Sequence, residues 1–116
     1  MQNKNKITIE RQGPVVILNI QGDITSFSEP FLTKAYREAN DLGSNKILLN
    51  IADDIYINSG WIAVLIQILV QTKKNNQQIS ITGLSDHFKK IFNMVGITTL
   101  TEIHNDVESA IAAMSK

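Results

Sequence analysis

One serine stands where a polar turn gives way to a strongly apolar helix. The segment reads Tyr56-Ile57-Asn58-Ser59-Gly60-Trp61-Ile62-Ala63-Val64-Leu65. Asn and Ser ahead of a periodic apolar run are helix N-cap residues, because their side-chain oxygens accept orphan backbone N–H groups of the first turn. The same place suits a phosphate. A helix N-terminus carries about half a unit of positive charge, so a dianion there does not melt the fold. Ser59 is therefore read both as a structural cap and as the acceptor of a reversible phosphorylation switch. Asp23, Asp53 and Asp54 would make that face strongly anionic if their loops cluster, while Asp53-Asp54 also fits an ordinary solvated turn. Trp61 is open to two readings, a core residue or a half-exposed interface anchor.

Other chemistries find little footing. A hydrolase elbow needs glycine two positions before and after its serine, and here those positions hold Ile57 and Trp61. His87 and His104 lack a metal-ligand spacing and read as surface or cap residues. Gly22-Asp23 lacks the further glycines and the lysine of a phosphate-cradling loop. The absence of cysteine excludes disulfides, thiolate zinc sites and thiol chemistry. No cofactor, metal or catalytic residue is expected.

The elements that must position this turn follow from patterning. A chain of 116 residues, 43% hydrophobic and 19% charged, suits one globular domain spanning 1–116, with a flexible polar start at 1–6. A net charge of zero and a pI near 6.7 give no electrostatic case for nucleic acid. No signal peptide is seen, and the longest apolar run, Trp61 to Val70, is too short for a membrane span and is broken by Gln67. A cytoplasmic location is the expectation.

Ile7-Thr8-Ile9-Glu10 alternates as a half-buried strand. After a Gly13-Pro14 turn, Val15 to Ile20 reads as a central strand. Ser28-Glu29-Pro30 opens a helix with Phe31, Ala35, Ala39 and Leu42 at helical spacing, ended by Gly43. Lys46 to Ile51 is a buried strand, followed by the Asn58-Ser59 turn and a core helix from about Gly60 to Lys73. Gln78 to Gly83 alternates as a strand. Ser85-Asp86 caps a short helix carrying Phe88, Ile91, Phe92 and Val95. Leu100 to Ile103 is a short edge strand, and Asp106 caps a last helix with Val107, Ile111 and Met114 on one face. The order implies an α/β domain with a mixed, mostly parallel sheet of four to five strands, covered by about four helices.

In that order, four segments resemble the STAS domain, the fold shared by bacterial anti-sigma factor antagonists and the cytoplasmic tails of sulfate transporters. They are Val16 to Ile24, with its terminal Gly-acidic-apolar motif; Ile47 to Ile51; Ile57 to Leu65, similar to the family's Asp-Ser-Ser-Gly-Leu-Gly-Val-Leu; and Phe88 to Ile97, similar to its late helix ending in apolar-Gly-Leu. In the stand-alone members the first serine of Asp-Ser-Ser-Gly is phosphorylated by a partner anti-sigma kinase and released by a phosphatase. Aligned without gaps, that serine is Ser59; the preceding Asp is Asn58, the second Ser is Gly60, and the Gly is Trp61. A further acidic family position falls on Thr25.

The resemblance implies an anti-sigma factor antagonist. It would bind an anti-sigma serine kinase when unphosphorylated and lose that binding when Ser59 carries phosphate, with Asp23, Thr25, Asn58, Gly60 and Trp61 on the docking face. A phosphatase or other STAS proteins are further partners it implies. Two other classes stay open: a scaffold subunit assembling with other STAS domains, and a small-molecule or nucleotide sensor using the loops at the strand ends.

Overall fold

Val15, Val16, Ile17, Leu18 and Ile20 are apolar on both faces of one strand, and both faces are buried. A strand of that kind belongs inside a sheet with helices on either side. The computed structural model, which describes residues 6–21, 29–43, 45–51 and 59–115, builds that sheet. Its elements run β1 (Lys6–Gln12), β2 (Val15–Gln21), α1 (Glu29–Asp41), β3 (Lys46–Ile51), α2 (Ser59–Lys74), β4 (Gln78–Thr82), α3 (Asp86–Met94), a 3-10 turn (Ile97–Thr99), β5 (Glu102–His104) and α4 (Val107–Met114). The five strands lie side by side in chain order, β1 antiparallel to β2 and the rest parallel.

One face of the sheet presents Val16, Leu18, Ile20, Ile47, Leu49, Ile51, Ile79 and Ile81. Leu32 and Tyr36 of α1, Leu65 and Leu69 of α2, and Phe92 of α3 close over it as one core. The other face is smaller: Val15, Ile17 and Leu48 pack with Ala110 and Met114 of α4. Phe92 is wholly buried, and trimming a side chain of that size and burial typically costs about 3–5 kcal/mol.

Three expectations are corrected. In α1 the buried residues are Leu32, Ala35, Tyr36 and Ala39, whereas Phe31 and Leu42 are about half exposed, at 50% and 47%. The helix is rotated so that Tyr36 reaches the core, where its hydroxyl bonds Gln77 and accepts from Asn75 Nδ2 at 3.1 Å. In α3, Val95 is the C-cap and is 50% exposed rather than buried. The alternating β4 is covered on both sides, because Ser80 and Thr82 lie beneath α4.

α2 ends as its polar turn demands. Asn76 takes a left-handed φ of 56°, and the Gln77 N–H donates to the Thr72 carbonyl at 2.8 Å, which satisfies carbonyls the helix would leave open. The expected caps also form: Phe88 N–H donates to Ser85 Oγ at 3.3 Å, and Ser109 N–H to Asp106 Oδ1 at 2.7 Å.

Candidate functional site

β3, α2 and β4 form a crossover between parallel strands, so α2 starts at the end of the sheet where β3 finishes. Ser59 is the first residue of α2, and Gly60 and Trp61 complete its opening turn with Ile62. The helix thus begins one residue earlier than the sequence pattern suggests, and Ser59 is inside it, not ahead of it. Asp23, Thr25 and Asn58, with Asp53 and Asp54, lie outside the described residues. What topology does place is their anchor points. β2 finishes at Gln21 beside β3, whose last paired residue, Ile51, is in register with Ile20. The chain leading to Asp23 and Thr25 and the chain leading to Ser59 therefore leave the same end of adjacent strands.

α2 holds its opening turn in place through its far side. Leu65, Ile68, Leu69 and Thr72 are buried, with Ile62 and Ile66 packed partly against the same core, while Ala63, Gln67, Val70 and Gln71 face outward. The charge pattern is one-sided. Lys73 and Lys74 occupy the last turn, where they complement the negative end of the helix dipole, and the first turn holds no acidic residue. No carboxylate of that turn competes for the positive end of the helix.

A second polar feature lies nearby, and it escaped the reading of motifs. Thr82 Oγ1 donates to Asn50 Oδ1 at 3.1 Å, Asn50 Nδ2 to Asn19 Oδ1 at 2.7 Å, and Asn19 Nδ2 to Glu10 Oε1 at 2.8 Å. This ladder crosses β4, β3, β2 and β1 on the α4 side of the sheet. It fixes the pairing of the strands that lead to the site, because a slip of one residue would turn each asparagine into the apolar core. Its signal was present in the repeated tripeptides Leu18-Asn19-Ile20 and Leu49-Asn50-Ile51, a lone polar residue at the same place in two buried strands. Beside it is a cavity of about 330 Å³ lined by Asn50, Ile51, Thr82, Gly83, Asn105, Asp106 and Val107.

Asp106 opens α4 at the rim of this cavity. The backbone N–H of Ser109 holds its carboxyl below the usual aspartate range, aided by the Ser109 hydroxyl and by nearby His104. A group depressed in the folded state contributes stability above its unfolded pKa, and that contribution is lost as pH falls through its folded pKa. The expected result is that the Asp106 carboxyl titrates later than an ordinary aspartate as acid is added, and that the Ser109 amide resonance shifts with it. NMR titration checks this, and a Ser109 amide that ignores the transition would disprove the cap. Among the described residues no group of His, Asp and Glu is arranged to hold a metal ion, and no helix is long and apolar enough to cross a membrane.

Comparison with known proteins places this geometry. The STAS domain profile matches residues 6–110. BtrV of Bordetella bronchiseptica is 22% identical over 108 residues, 93% of each chain. The anti-sigma-B factor antagonist of Staphylococcus aureus is 20% identical over 91 residues, 78% of this chain and 84% of that one. Among solved structures, an anti-sigma factor antagonist from Mycobacterium paratuberculosis superposes with a TM-score of 0.80 at 11% identity, covering 97% of this chain and 96% of its own. The Bacillus cell fate determinant SpoIIAA in its phosphorylated form gives 0.65 at 10% identity, covering 96% and 100%.

Proposed function

Because the chain belongs to the STAS domain family, we propose that it acts as an anti-sigma factor antagonist whose binding to an anti-sigma serine kinase is switched off by phosphorylation of Ser59. The observation that carries this reading is the position of Ser59 as the first residue of α2, in a first turn without acidic residues. The names of its relatives support the class of function.

The switch works through charge. A phosphate adds about −1.5 to −2 units at the head of α2. The positive end of the helix accommodates it, so the domain keeps its fold. A partner that docks on Ser59, Gly60 and Trp61 with acidic or apolar groups is then repelled. Asp23, Thr25 and Asn58 complete the docking face in this reading, because β2, after which the first two follow in the chain, ends beside β3. Asn58, where the family has a carboxylate, removes a like charge from beside the phosphate.

The test is site mapping. Incubation with an anti-sigma serine kinase and ATP, followed by peptide mapping, is expected to place one phosphate on Ser59. Ser80 is wholly buried and should stay unmodified. Phosphate on Ser26 or Ser28, with Ser59 bare, would overturn the assignment.

A further inference from the structure

β1 is an edge strand. It pairs with β2 along Lys6–Gln12, and among the described residues nothing pairs with its other side. A row of free backbone N–H and C=O groups on such an edge is a template for another strand. The two faces of β1 differ. Ile7 and Ile9 are partly buried against the main core, and the Glu10 side chain lies on the opposite face, where it accepts from Asn19. By alternation Lys6 and Thr8 take register positions on the face of Glu10.

We propose that a second copy of this chain pairs with this edge, antiparallel, about a two-fold axis through Thr8. An antiparallel pair of identical edges has its two-fold axis perpendicular to the sheet, so each face keeps its identity and only registers centred on a residue are allowed. Centred on Thr8, Lys6 stands opposite Glu10 of the second copy, and Glu10 opposite its Lys6. Ile7 comes opposite Ile9 in both directions, which extends the apolar side across the axis. Directly opposed side chains of this kind support pairing when the charges are opposite and oppose it when they are alike. Moving the axis to Ile9 sets Ile7 against Arg11 and Thr8 against Glu10; moving it to Glu10 sets two carboxylates face to face. Charges on an edge commonly protect it from strangers. Here their spacing admits one partner, the same strand reversed.

The occupant is a second copy because the pattern Lys6-Ile7-Thr8-Ile9-Glu10 is complementary to its own reverse. The joined sheet has ten strands, five from each copy. The edge lies two strands from β3, so pairing leaves the head of α2 open, and this inference stands or falls separately from the antagonist reading.

The experiment is sedimentation equilibrium of the full chain from micromolar to near-millimolar concentration, since so narrow an interface suits transient association. Dimer formation is expected. Lys6→Glu or Glu10→Lys alone puts like charges opposite and should weaken the dimer at least about tenfold. The double variant restores opposite charges and should recover the dimer, which no misfolding of the single variants can imitate. The chain has no cysteine, so Thr8→Cys gives one thiol at the axis. It should cross-link under mild oxidation, while Arg11→Cys, displaced along the strand, should not. A protein that stays monomeric throughout the range overturns the proposal. So does a dimer that ignores both charge reversals, or one that cross-links through residue 11 and not through residue 8.

Discussion

Gly83→Ala is expected to cost about 3 kcal/mol or more of folding stability, a large share of the roughly 5–15 kcal/mol that holds a domain together. Gly83 closes β4 with a φ of +89°, where residues with a Cβ are strained by about 1–2 kcal/mol. The larger part comes from contact. A Cβ at this position would lie 1.6 Å from the Ile51 carbonyl oxygen and 2.7 Å from its carbon. Both are backbone atoms of β3, and neither can rotate away. The two strands would have to part at the end where Thr82 bonds Asn50 and the polar ladder begins. Gly43→Ala is the control, because it shares a positive φ of 76° but meets nothing within 4 Å. Its cost should be only the conformational one, about 1–2 kcal/mol. Urea denaturation of the two variants checks the difference. Equal losses would mean that backbone conformation, not the approach to Ile51, is what requires glycine at 83.

Ser59→Asp is expected to stay folded and to bind an anti-sigma kinase at least about tenfold more weakly than the unmodified chain, a loss of about 1.4 kcal/mol. Folding should change little, by about 0.5 kcal/mol or less, because a negative group in the first turn of a helix is favoured by its dipole. α2 is held by Leu65, Ile68 and Leu69, which the substitution does not reach. Binding is the sensitive quantity, since the new charge stands in the same turn as Gly60 and Trp61. Trp61 is the only tryptophan, so its fluorescence reports this one turn. Docking should shift its emission to the blue and shield it from quenchers, and Ser59→Asp should abolish both changes. A variant that melts far below the unmodified protein would show that the Ser59 hydroxyl is needed above all to hold the opening turn of α2. One that binds as tightly as before would place the docking surface elsewhere.

Local chemistry was legible in the sequence alone. The hydroxyl of Ser85 and the carboxylate of Asp106 cap α3 and α4 because a cap is an affair of four consecutive residues. The order of strands and helices follows equally from short-range patterning, and so does the placing of Ser59 at the head of an apolar helix. Trp61 to Val70 was readable as a helix too short to span a membrane, although its exposed Ala63, Gln67 and Val70 show it to be covered on one side only. What sequence patterning could not decide was the rotation of α1. Phe31, Ala35, Ala39 and Leu42 recur at a helical period, and so do Leu32, Ala35, Tyr36 and Ala39. Periodicity shows that an apolar stripe exists, but two stripes share alanines here, and the choice falls to the one whose Tyr36 hydroxyl finds Gln77 and Asn75. Ser80 and Thr82 likewise read as a solvent face until α4, more than twenty residues later, covers them. The ladder from Glu10 through Asn19 and Asn50 to Thr82, and the contact that requires glycine at 83, join strands that are neighbours only in space. A hydrogen bond between two strands depends on their adjacency and register. Both are properties of the whole sheet, fixed when the strands pack, and no single stretch of the chain contains them.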